Sequence, residues 1–145
     1  MQTIKVSLID DCHFLKGLRV IGKKWTIFII MQLLEYETLN FTNLQNRISK
    51  KTGEKISSTV LSASLQILEE QEIITRRMLV ERMPVRVLYS LTIKGRELRE
   101  IFIQVHSWMS KWKTEDKNTD PSAHEIHCPL CRLLPELNDF REQLY

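Results

Sequence analysis

Long apolar runs are missing from this chain of 145 residues. The longest, Ile27–Met31, falls far short of the roughly 18 to 20 apolar residues that a membrane-spanning helix needs. The N-terminus has no basic stretch leading into an apolar segment, so no secretory signal is expected and the expected location is cytoplasmic. Glycine and proline are scarce, four of each, which leaves an ordinary helix-leaning domain. There is no Gly-rich phosphate loop and no nucleophile elbow, so no enzymatic activity is expected. Cysteine is limited to three residues; in a reducing compartment these are expected as thiols or ligands, not structural disulfides.

What is present is enough for one hydrophobic core, with 43% hydrophobic and 27% charged residues. The net charge of +3 is unevenly spread. Residues 1–113 hold 18 Lys/Arg against 11 Asp/Glu, and residues 114–145 hold 3 against 7. A basic body with an acidic tail is compatible with a polyanionic partner. Charge alone is equally compatible with a solvated surface of mixed sign. The division is expected to run through the fold as well, with a main domain over residues 1–113 and a linker plus C-terminal tail over 114–145.

Residues 1–10 show no clear period. Asp10 or Asp11 is placed to cap a helix running to about Ile21, whose Phe14, Leu15, Leu18 and Ile21 share one face, with Cys12 in its first turn. Gly22 interrupts the pattern, and Lys24–Glu35 resumes it as a helix apolar almost all round, hence central and buried, with Trp25 as a core anchor. Tyr36–Asn40 reads as a connection and Phe41–Ser49 as a short helix with Phe41, Leu44 and Ile48 inward. The turn Lys50–Lys55 contains Gly53, suited to a positive φ.

A further amphipathic helix is expected over Ile56–Glu72, capped by Ser57 or Ser58. Val60, Leu61, Leu65 and Leu68 form its inward stripe and Ser58, Thr59, Ser62, Ala63 and Gln66 its opposite face. Two short helices across a Gly-bearing turn, the second presenting small polar side chains, match a helix-turn-helix. Two β-rich segments follow, Ile73–Val80 and Val85–Thr92, joined by a charged loop. Arg76, Arg77, Arg82 and Arg86 cluster on this hairpin, where core packing does not explain them; phosphate contact and entry into a narrow minor groove do. The predicted fold is therefore mainly α with a small β-hairpin, a winged helix-turn-helix. From Thr92 or Lys94 to about Lys113 a long helix carries Leu98, Ile101, Phe102, Val105, Trp108 and Trp112 at steps of three and four. That seam suits a two-fold dimer interface, packing on the chain's own N-terminal helix, or both.

Several ordered motifs resemble those of HxlR-type regulators, a MarR-related branch of winged-helix transcription factors. Gly22, Lys24, Trp25 and Thr26 (GKKWT) are similar to the family's G-G-K-W-T. Phe41 and Leu44 stand at R-F-x-x-L, and Ile56, Ser57, Val60 and Leu61 at I-S-x-x-V-L. Pro84, Val87, Tyr89, Ser90, Leu91, Thr92 and Gly95 stand at P-x-x-V-x-Y-S-L-T-x-x-G, and Cys12 where the family often has a cysteine. The resemblance implies a homodimer paired through N- and C-terminal helices. It also implies operator recognition on double-stranded DNA and, at Cys12, a candidate sensor thiol. The effector is unknown. Two departures stand out. Asn40 replaces the arginine before Phe41, and Thr59, Ala63, Ser64 and Gln66 occupy recognition-helix positions where the family usually has several arginines.

Without long cations that helix lacks bidentate guanine contacts, each worth about 1–3 kcal/mol of discrimination. Base reading would then fall to Ser57, Ser58, Thr59, Ser62, Ala63 and Gln66. The electrostatic hold would fall to Lys50, Lys51, Lys55 and the wing arginines. The same lack of cations fits a rival function, a winged-helix module that binds protein with weak or no DNA binding.

The tail lies outside the family pattern. His124, His127, Cys128 and Cys131 (HEIHCPLC) have spacing suited to zinc. A redox pair and inert cysteines ahead of a docking helix stay open beside it, since zinc modules usually bring a second ligand pair from another segment.

Overall fold

The computed structural model of the chain describes residues 12–81 and 83–112. Arg82, the Asp10 or Asp11 cap, residues 114–145 and the His/Cys cluster among them lie outside the described residues. In chain order the elements are α1 (His13–Ile21), α2 (Lys24–Glu35), β1 (Leu39–Asn40), α3 (Phe41–Thr52), α4 (Ser58–Glu70), β2 (Ile74–Leu79), β3 (Arg86–Leu91) and α5 (Ile93–Lys111).

Helix α2 is the hub. Thr26, Ile29, Ile30, Met31, Gln32 and Leu33 are all buried, as its nearly all-apolar sequence predicts. Helices α3 and α4 pack across it, and the sheet closes the core with Ile74, Tyr89 and Leu91. Trp25 is half-buried against that core, its ring 6.5 Å from the ring of Phe28. Helix α1 starts after Cys12, which occupies the cap position without a side-chain hydrogen bond; a thiol is a weak acceptor.

The strand order is β1-β3-β2, antiparallel throughout. The third strand, β1, corrects the expected plain connection over Tyr36–Asn40. Its two residues pair with Tyr89 and Leu88, and nothing in so short a segment announces a strand without its partner. Asn40 then becomes the cap of α3, its side chain accepting the Asn43 N–H at 2.8 Å. Asparagine is among the strongest N-caps, so the residue that replaces the family's arginine has a local structural use.

Helix α3 runs three residues beyond the expected Ser49, and Gly53 ends it in the left-handed region at φ 69°. Helix α4 is shorter than expected at both ends. Ile56 is fully buried ahead of the Ser57 cap, and with Leu61 it fits the hydrophobic-staple pattern that sets a helix's entry angle. At the other end Glu72 takes φ 58°, while Ile73 N–H bonds to Leu68 O and Glu72 N–H to Glu69 O, a Schellman closure.

Thr92 ties this closure to the wing and to α5. Its hydroxyl donates to Glu72 O at 2.6 Å and accepts the Gly95 N–H at 3.0 Å, and its own N–H reaches Ile73 O. A Cβ on Gly95 would collide with Ile73 O, so backbone passes against backbone there and only glycine fits. The T-x-x-G motif is thus the joint where the end of α4, the root of the hairpin and the start of α5 meet.

Candidate nucleic-acid interface

The turn between α3 and α4 is held by side chains. Gln45 Nε2 donates to Ile56 O at 3.0 Å and to Ser58 Oγ at 3.2 Å, so α3 grips the first turn of α4. Thr52 Oγ1 donates to Ile48 O, and its oxygen lies 3.1 Å from the Glu54 N–H. Lys24, at the start of α2, reaches Glu54 at 2.6 Å and also lies 4.7 Å from the centre of the Trp25 ring. The GKKWT motif therefore links the α1–α2 joint to the helix-turn-helix turn.

On α4, Ser58, Thr59, Ser62, Ala63 and Gln66 are exposed along one side. Ser57 is exposed too, but its oxygen caps the helix by accepting the Val60 N–H at 3.2 Å. Gln66 Nε2 leans on Glu70 at 3.3 Å. Val60 is a correction: expected inward with Leu61, Leu65 and Leu68, it is 39% exposed. Leu61, Leu65 and Leu68 repeat at steps of four and three and define the buried line; Val60 precedes that line by one residue, at its edge. It adds an apolar group beside Thr59 and Ala63, of the kind that meets a thymine methyl. Glu69 and Glu70 are exposed at the far end of α4, where carboxylates would oppose phosphate.

Of the expected turn cations, Lys50 and Lys55 are exposed. Lys51 is committed elsewhere: it pairs with Glu35 at 2.9 Å with only 19% of its side chain exposed, bracing α3 on α2. Arg47 on α3 is likewise occupied, its guanidinium 3.7 Å from the centre of the Tyr36 ring.

Arg76, Arg77 and Arg86 are exposed and enter no ion pair among the described residues. They do not form one cluster. Arg76 lies opposite Tyr89, Arg77 opposite Leu88 and Arg86 opposite Leu79. Side chains alternate along a strand, so Arg77 and Arg86 share one face of the ribbon while Arg76 is on the other, the face that carries Ile74 and Tyr89.

The long seam of α5 also divides. Leu98 and Phe102 are 8% and 9% exposed within the chain's own core, so they are not free to line a second interface. Ile101, Val105, Trp108, Met109 and Trp112 are exposed, as are Phe14 and Leu18 of α1. At about 100° per residue, Val105 and Met109 point within about 20° of Leu98. The buried stripe therefore continues beyond the described residues that cover it. Among the described residues no group of His, Cys, Asp and Glu is arranged to hold a metal, and no helix is long and apolar enough to cross a membrane.

Two helices braced across a tight turn, a hairpin directly behind the second, and a closing long helix define a winged helix-turn-helix protein of the transcription-regulator class. The family profile for HxlR-like helix-turn-helix proteins matches residues 20–117, and the chain belongs to that family. It is 31% identical over 100 residues to the HTH-type transcriptional regulator YvaP of Bacillus subtilis, covering 69% of this chain and 86% of the relative. It is 32% identical over 93 residues to the HTH-type transcriptional regulator YodB of the same organism, covering 64% and 77%. The solved reduced form of YodB superposes with a TM-score of 0.60 at 29% identity, over 70% of this chain and 93% of that one. The redox regulator HypR in its oxidized form gives 0.57 at 28%, over 71% and 99%. The chain is a transcriptional regulator of the helix-turn-helix type and not an enzyme.

Proposed function

We propose that the protein acts as a homodimer that binds operator DNA, with the N-terminal half of α4 in the major groove and the wing on phosphates and minor groove. The carrying observation is the braced, uncharged, exposed face of Ser58, Thr59, Ser62, Ala63 and Gln66 beside a hairpin whose Arg76, Arg77 and Arg86 enter no ion pair among the described residues. Such a face reads bases through hydroxyls, an amide and methyl contacts, so readout leans toward A·T pairs, while Lys50, Lys55 and the wing supply the electrostatic hold. Selection of bound duplexes from a random pool tests this. The expected result is an A·T-weighted inverted repeat; failure to retain any duplex at low salt would favour the protein-binding alternative.

Cys12 is assigned as the sensor thiol. It stands half-buried at the cap position of α1, and the similar proteins YodB and HypR have been solved in reduced and diamide-treated or oxidized forms. A mild oxidant should change operator binding by the wild type and not by Cys12→Ser. Equal responses would remove Cys12 from this role.

A further inference from the structure

The base-reading helix and the arginines leave the apolar side chains at the end of the wing unused. Strand pairing closes at Leu79 and Arg86, so Val80, Glu81 and residues 83–85 stand beyond the last pair. A hairpin tip in water is ordinarily polar. This one exposes Val80 at 72%, Met83 at 92% and Val85 at 43%, with Pro84 exposed between the last two. No described part of the chain covers them. Behind the tip the stem is basic on both faces, with Arg77 and Arg86 on one and Arg76 on the other.

Exposed apolar side chains at the tip of a cationic stem are the chemistry of a minor-groove wedge, even where charged residues share the turn. Arginines on the two faces meet the two phosphate backbones, and the apolar group between them replaces the stacking that a base step gives up when it opens. We infer that Met83, flanked by Val80 and Val85, enters the minor groove of duplex DNA, opens a base step and bends the duplex. Pyrimidine–purine steps unstack most easily, so the wedge selects TA or CA at a position that α4 does not reach.

Methionine suits the task because it is long, unbranched and without polar groups to desolvate. The basic stem decides for DNA over a second copy of this chain, whose wing would bring the same positive charge to the contact. Glu81, exposed at the tip, opposes entry by repelling phosphate. It must therefore turn out of the groove, and it limits affinity.

This inference rests on the DNA-binding reading, and one set of measurements separates the two. A duplex selected by the wild-type protein is labelled with 2-aminopurine at the adenine of each TA or CA step and with a donor–acceptor pair at its ends. Wild-type binding should raise 2-aminopurine fluorescence at one step per half-site and shorten the end-to-end distance. Met83→Ala, at a site that faces solvent in the free protein, should abolish both signals. It should bind about 10-fold more weakly, as expected for one apolar side chain returned to water. Its salt dependence should match the wild type, because no charge is removed, whereas Arg86→Ala should lower the slope of log K against log salt by about 0.9. Met83→Ala with wild-type affinity and wild-type fluorescence overturns the wedge and leaves DNA binding intact. So does self-association of the free protein that Met83→Ala abolishes while the DNA signals persist. A random pool from which no duplex can be recovered overturns the DNA-binding reading, and the wedge with it.

Discussion

Gln32 lies in the middle of the central helix with its side chain wholly out of water, and neither Nε2 nor Oε1 has a hydrogen-bond partner among the described residues. A buried amide left in that state costs about 1–3 kcal/mol, because its hydration is removed and not replaced. Ile29, Ile30 and Leu33 around it in the same helix are fully or almost fully buried and complete the apolar core, so the polar side chain interrupts an otherwise consistent packing pattern. Methionine matches glutamine in length and flexibility without the amide. Gln32→Met should raise stability by about 1–2 kcal/mol, seen as a higher urea midpoint at an unchanged m-value. A lower midpoint would mean that the amide is satisfied by a group such as a trapped water, and that the substitution breaks that bond.

At the scale of elements, the wing is a ribbon with two chemically different faces. If it lies in the minor groove, Arg77 and Arg86 meet one backbone and Arg76 the other. Removing one cation from a phosphate reduces the slope of log K against log salt by about 0.9. Arg77→Ala with Arg86→Ala should therefore lower that slope by about twice the change made by Arg76→Ala. The loss of affinity should be greatest at low salt. Arg76→Ala matching the double variant, or neither changing the slope, would remove the wing as the electrostatic hold.

Although their division between two faces came with the strand register, the placing of Arg76, Arg77 and Arg86 on one hairpin was legible. So were the bounds of α2 at Lys24 and Glu35, the Gly53 turn, and a spread of small side chains on α4. These follow from local periodicity and from the backbone needs of single residues. What was not legible depends on partners distant in the chain. Strand β1 exists only through its pairing with β3, and Lys51 looks like a phosphate ligand until Glu35, sixteen residues earlier, is seen beside it. Val60 is exposed because its place falls at the edge of the helix's buried line, a distinction finer than hydrophobicity supplies.

For the whole molecule the decisive feature is the overhang of α5. A helix of 19 residues begins in the core and carries the same apolar stripe past it. Leu98 and Phe102 are covered, while Val105, Trp108, Met109 and Trp112 are 52 to 70% exposed. Surface apolar residues are common singly, but two tryptophans, a valine and a methionine on one side of one helix form a patch suited to an interface, as the proposed homodimer requires. Phe14 and Leu18, exposed on α1, add apolar surface from the other terminal helix of the described chain. A two-fold pairing through these helices would present two copies of α4 to two half-sites, and each bound half would raise the local concentration of the other. Val105→Asp with Trp108→Asp places charge where a partner helix would pack and disturbs little of the protomer's own core. The variant should keep its circular dichroism and unfolding midpoint, sediment as a monomer, and bind an inverted repeat about 100-fold or more weakly, since linked binding commonly adds that much. Its affinity for a single half-site should stay near that of one wild-type protomer. A double variant that sediments like the wild type would show that α5 is not the pairing surface.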